Sequence, residues 1–289
     1  MKTVNAIDEI ISGREHWNYD QPHHHYLLTF LALYARPAGK TIPISAIIRF
    51  MEELGSESSS VRSSISRLKK KNVIDSKKTS LGSEYAFSEL LEPHMKAGDE
   101  RIFSPRSMGI GDPWLLVSFS VPESERKNRH KIRSGLTRIG FGVVNSALYI
   151  GPEHLHTETV QYIREYQLWD YVQLFIGRPD GQGNLQEKVS QWWNLDNLRK
   201  EYKMFLERYQ PELLKWQSWL YDGNETASDA FKLYIPMVTH WRRLMFMDPG
   251  LPSELLPIDW VGIEARKLFI DLNHILKPFS LKYFTQVIN

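Results

Sequence analysis

The sequence predicts a multidomain α+β protein, and three observations predict it. Residues up to Leu91 order as helix, short strand, helix, helix, strand, strand. Trp114 to Gly177 order as β-α-β-β-α-β, and from Gln191 onward the pattern is helical. Two clusters of turn residues separate these blocks: Glu92–Pro113, with Pro93, Gly98, Pro105, Gly109, Gly111 and Pro113, and Arg178–Asn184. The expected division is an extension over 1–20, a first domain over 21–95, a linker over 96–112, a middle domain over 113–180 and a helical C-terminal domain over 190–289.

In the first block, His24–Arg36 carries an apolar stripe and is ended by Pro37. Thr41–Pro43 is extended. Ser45 is the expected N-cap of a helix bearing Ile47, Ile48, Met51 and Leu54, stopped by Gly55. Val61, Ile65 and Leu68 place one apolar stripe on a helix over Ser58–Lys70. Val73-Ile74 and Tyr85–Phe87 are strand-like, joined by a segment with Lys77, Lys78 and Gly82. Helix, turn, helix and a hairpin with a basic tip is the order of a winged helix-turn-helix. Ser58 to Lys78 holds seven basic residues and one acid, net +6. With the stripe buried, Ser58, Ser59, Ser60, Arg62, Ser63, Arg67, Lys69 and Lys70 are left for a DNA groove, with Lys77 and Lys78 on the wing. Small hydroxyls permit close approach, arginine bonds guanine bidentately, and lysine neutralises phosphate.

The β-α-β-β-α-β order of the middle block is ferredoxin-like. Its first helix carries Arg126, Lys127, Arg129, Lys131, Arg133 and Arg138 with no acid after Glu125. Those cations touch DNA, bind an anionic ligand, or are solvated; pattern alone leaves all three open. The all-α C-terminal block is read as helices over Leu195–Tyr209, Glu212–Tyr221, Ser228–Met247 and Gly262–Leu276, and holds six of the nine tryptophans. These rings fill a core, a partner surface or an apolar ligand pocket.

Composition bounds the rest. The chain has 289 residues, 42% hydrophobic and 24% charged, with a formal net charge of +2. With no cysteine there is no disulfide, no Cys-ligated zinc and no cysteine nucleophile. Asp8 and Glu9 stand where a secretory leader needs an apolar run, and Tyr26–Ala35 is half the length of a membrane span. The expectation is a cytoplasmic chain with no membrane partner. HExxH and GxSxG are absent, and Gly39-Lys40-Thr41 has Tyr34 where a phosphate-binding loop needs glycine. His23–His25 point about 100° apart on a helix and cannot converge on one ion. His154, His156 and Glu158 lack a convincing third ligand. No catalytic residue, metal or cofactor is expected.

Several segments together resemble the PaaX family of bacterial transcriptional regulators. They are Val61–Leu68 with the hairpin ending in Tyr85; Arg138–Gly142 with Ala147–Pro152; and Asp248-Pro-Gly-Leu-Pro-Ser-Glu-Leu-Leu-Pro-Ile-Asp-Trp260. The resemblance implies a homodimeric repressor of aromatic-compound catabolism that binds double-stranded operator DNA and is released by a small aromatic metabolite or an aryl-CoA thioester such as phenylacetyl-CoA. Two symmetric recognition helices require an inverted repeat. Such an effector needs cations and apolar walls, and the candidates are Arg126, Arg129 and Arg133 with His240, Trp241, Arg242 and Arg243. The alternative for Arg242 and Arg243 is pairing with acids near Asp248 and Glu254. Asn72 stands where the family has glycine, and the wing has lysines where arginines are common. The remaining alternatives are an RNA-binding or protein-interaction module and, on the likeness of the middle block to small CRISPR adaptation nucleases, a metal-dependent nuclease. Ser118–Pro122 lacks the aspartate that chemistry needs.

Overall fold

A computed structural model describes residues 23–80, 82–178, 184–223 and 226–288. The expected extension over 1–20 and most of the break over Arg178–Asn184 lie outside them. Contacts group the described residues into two compact units: those within 101–203 with Leu244–Gly262, and those within 23–100 with those within 204–243 and 263–288.

The second unit begins with α1 (His23–Phe30), continued by a π turn over Leu31–Ala35. There follow β1 (Ile42–Pro43), α2 (Ile44–Glu53), α3 (Ser58–Lys70), β2 (Ile74–Thr79) and β3 (Gly82–Phe87). The strands form an antiparallel sheet in the order β1-β3-β2. α1 packs directly on α2 and α3. Ser45 is not the N-cap of α2: Pro43 is, where its missing N–H is not needed. The core joins these elements to later ones, α9 (Ala227–Met247) and α10 (Gly262–Ile288). Phe30 lies 4.8 Å from Phe50, and Phe50 lies 5.2 Å from Phe231 and 5.7 Å from Phe284. Polar ties follow the same route. Tyr283 donates to Glu53 at 2.9 Å, Lys232 pairs with Glu53 at 3.0 Å, and the Tyr34 and Ser280 hydroxyls bond in the interior.

The expected linker over 96–112 is helical as far as Phe103, as α4 (Glu92–Phe103). Pro93 sits in the first turn, where proline is accommodated, and one interior glycine, Gly98, costs only about 1 kcal/mol. Arg36 ties α4 down by donating to both Glu92 oxygens, at 2.8 and 2.9 Å, and to Asp99; it holds the Glu92 carboxyl below its usual pKa.

The first unit is built on β4 (Trp114–Phe119), α5 (Arg126–Ile139), β5 (Gly142–Asn145), β6 (Leu148–Pro152), α6 (His156–Glu165) and β7 (Val172–Gly177). The four strands are antiparallel in the order β5-β6-β4-β7, the split arrangement of a β-α-β-β-α-β chain. Alternation along β4 explains its burial on both faces. Leu115, Val117 and Phe119 meet Ile132, Leu136, Tyr162 and Ile163 of α5 and α6. Trp114, with Ile150 of β6, meets Val189, Trp193, Leu251 and Leu255 on the other side. Val189 belongs to α7 (Leu185–Trp192), a helix not foreseen, whose N-cap Asn184 accepts from the Gln186 N–H at 3.0 Å. The Asp248–Trp260 run closes this second face. Gly250 takes φ +70°, its N–H donates to Asp248 at 2.7 Å, and its carbonyl accepts from Met108 N–H at 2.8 Å.

α5 and α6 approach through Gly135, where an added Cβ would stand 2.2 Å from the Tyr162 ring. Gly135→Ala is therefore expected to lower stability by about 1–3 kcal/mol through overpacking, seen as a lower denaturation midpoint.

The C-terminal block has fewer, longer helices than expected. α8 runs unbroken over Leu195–Asp222 through Pro211, and α10 continues to Ile288 through Pro278. Proline removes one hydrogen bond, but the apolar stripes pass straight through. Leu198, Tyr202, Phe205, Tyr209 and Trp216 are all buried along α8, as are Leu272, Leu276, Ser280 and Phe284 along α10. No helix among the described residues is long and apolar enough to cross a membrane.

Candidate nucleic-acid interface

α3 is held by one face and open on the other. Val61, Ser64, Ile65 and Leu68 are buried. Ser59, Arg62, Ser63, Arg67, Lys69 and Lys70 are exposed, while Ser58 and Ser60 are only half-exposed. The helix has no acid in its thirteen residues. Arg62, Lys69, Lys70, Lys77 and Lys78 make no ion pair or side-chain hydrogen bond among the described residues. Arg67 has only a long contact to Ser64, at 3.4 Å, and Ser59 one to Glu57, at 3.5 Å. Ser66 completes the outward stripe; it is exposed and sits i+3 and i+4 from Ser63 and Arg62. The same periodicity that places Arg62 and Ser63 on the open face also places Ser66 there.

Both helices end in the same way. Past α2, Gly55 takes φ +80°, Gly55 N–H donates to Glu52 O and Ser56 N–H to Met51 O, each at 2.9 Å. Past α3, Asn72 takes φ +56°, Asn72 N–H donates to Lys69 O at 3.0 Å and Val73 N–H to Leu68 O at 2.9 Å. These are Schellman ends, and asparagine supports the left-handed position as glycine does. The second one sets the direction of β2 relative to α3.

The hairpin differs from a basic tip. β2 pairs with β3 as far as Thr79 opposite Gly82, so Lys77 and Lys78 lie on the strand opposite Glu84 and Ser83. Pairing continues because Gly82, at φ +125°, starts β3 sooner than the sequence pattern suggests. Glu84 is a carboxylate opposite Lys77 that sequence reasoning missed. Strand register puts the two on one face, and Glu84 itself accepts from Thr41.

The effector candidates fall into two units. On α5, Arg129 donates to Glu123 at 3.0 Å and to Val121 O at 2.8 Å, and Arg133 donates to Tyr149 at 3.3 Å. Arg126 is exposed. On α9, Trp241 is buried and stacked on Phe269 at 4.6 Å. His240 lies 5.2 Å from Phe205 and is held neutral, its pKa lowered to about 3 by burial first and then by Arg208 and Arg243. Arg242 is buried, and no acid among the described residues acts on it.

Three family descriptions match the chain in succession: PaaX-like protein over residues 26–91, PaaX protein central Cas2-like domain over 109–189, and PaaX-like protein C-terminal domain over 193–286. The chain belongs to the PaaX family. That membership places it among transcription regulators and not among enzymes. The transcriptional repressor PaaX of Escherichia coli (strain K12) is 24% identical over 254 residues, 86% of this chain and 78% of that one. This PaaX-family chain also resembles in fold the solved uncharacterized protein Rv0674 from Mycobacterium tuberculosis, with TM-score 0.56 and 19% identity over 89% of this chain and 97% of that one.

Proposed function

We propose that this chain is a cytoplasmic, homodimeric, sequence-specific DNA-binding repressor of an aromatic-compound catabolic operon, released by an aromatic metabolite or an aryl-CoA thioester. Its first domain works as a winged helix-turn-helix over 21–95. α3 enters the major groove, with Arg62 and Ser63 at base edges and Ser58, Ser59 and Ser60 in close approach. Arg67, Lys69, Lys70, Lys77 and Lys78 anchor phosphates. The observation that carries this reading is the acid-free outer face of α3, with no ion pair on its cations among the described residues, packed on a strand bearing two more. The named function of the Escherichia coli relative supports it. In the dimer the middle domain supplies the scaffold and the two α3 helices read an inverted repeat.

The test is Arg62→Ala. Its expected effect is a loss of about 1–3 kcal/mol in the preference for operator over scrambled duplex, with binding to scrambled duplex nearly kept. Competition binding with both duplexes measures it, and an unchanged preference removes Arg62 from base reading.

A further inference from the structure

The buried side of α9 holds a charge that the described residues leave uncompensated. Arg242 is 6% exposed, and among the described residues neither its Nε nor its Nη2 has a hydrogen-bond partner. Burial alone lowers its pKa, to about 10, so it stays a cation at neutral pH. A guanidinium taken out of water is destabilising unless a carboxylate or another anion faces it.

A neutral imidazole lies within its field. His25 of α1 has its pKa lowered to about 2, by burial first and then by His24, Arg242 and Arg243. The register of the two helices explains the meeting. Thr239 donates to Thr29 across the α1–α9 contact at 2.8 Å. His25 lies one turn before Thr29, and Arg242 and Arg243 lie one turn after Thr239, so the antiparallel pair brings them together.

We propose that Arg242, beside His25 where α1 meets α9, is a binding site for an oxyanion, a carboxylate or a phosphate, taken in the fork of its guanidinium. This rests on the effector reading and adds where the effector's charge goes. It also names the element that senses it: an anion here bridges α9 to α1, and α1 packs on α2 and α3.

The experiment is thermal unfolding of the full chain and of Arg242→Met, which keeps the length of the side chain without the charge. Phenylacetate probes the carboxylate and pyrophosphate the phosphate, with sodium chloride at matched ionic strength as the control. The expected result is a concentration-dependent rise in Tm of the wild type with at least one probe beyond the control, and no rise for Arg242→Met. No rise for the wild type, or an equal rise for both proteins, overturns the proposal. Should Arg242→Met fail to fold, Arg242→Lys decides: a half-effect concentration raised tenfold or more supports the fork, and an unchanged one overturns it. Operator binding is read in the same preparation, so an anion response without operator binding sinks the repressor reading and leaves this site standing.

Discussion

Replacing Lys69, Lys70, Lys77 and Lys78 together by alanine is expected to flatten the salt dependence of DNA binding by about 3–4 units in the slope of log affinity against log salt. The figure comes from about 0.9 unit for each phosphate no longer neutralised. All four side chains are exposed and unpaired among the described residues, so their removal breaks no internal interaction and the fold should persist. Affinity for operator and for scrambled duplex should fall together, because phosphates carry no sequence information. Lys77 stands opposite Glu84, so its share should be the smallest of the four. Fluorescence anisotropy across a salt series measures the slope. A slope unchanged in the quadruple variant would detach this surface from DNA.

Phe50→Ala should destabilise the protein by about 3–5 kcal/mol, the range for emptying a large aromatic site in a packed core. Phe50 has no exposed surface and sits among Phe30, Phe231 and Phe284. It lies on α2, the helix that supports α3, while Phe231 and Phe284 belong to α9 and α10. The loss should therefore appear twice, as a lower unfolding midpoint and as weaker operator binding at temperatures where the wild type is fully bound. A loss below about 1 kcal/mol would mean that the core collapses around the gap and that α2 does not depend on the late helices.

Local periodicity made α3 readable. Its bounds, its buried stripe and the left-handed Asn72 follow from residues within one or two turns of each other. The β-α-β-β-α-β order was readable for the same reason, since each strand alternates and each helix carries its own stripe. What escaped depends on distant residues. Phe30 and Phe50 announce burial, but nothing nearby says that Phe231 and Phe284 cover them. Pro211 and Pro278 are local break signals overridden by stripes buried along the whole helix. Lys77 and Lys78 moved from tip to strand because hairpin register is set by pairing with Glu84 and Ser83. Arg242 was legible as a charge next to a tryptophan; its burial with no acid beside it among the described residues depends on tertiary packing.

The central claim is that α3 and its neighbouring strand read DNA. The most direct measurement is equilibrium binding of the full chain to duplex DNA from upstream of its own gene, against a scrambled duplex of equal length. Tight, salt-sensitive binding that prefers the upstream duplex by about 1,000-fold or more is the expected result. Equal affinity for the two duplexes, or no binding to either at low salt, would contradict it.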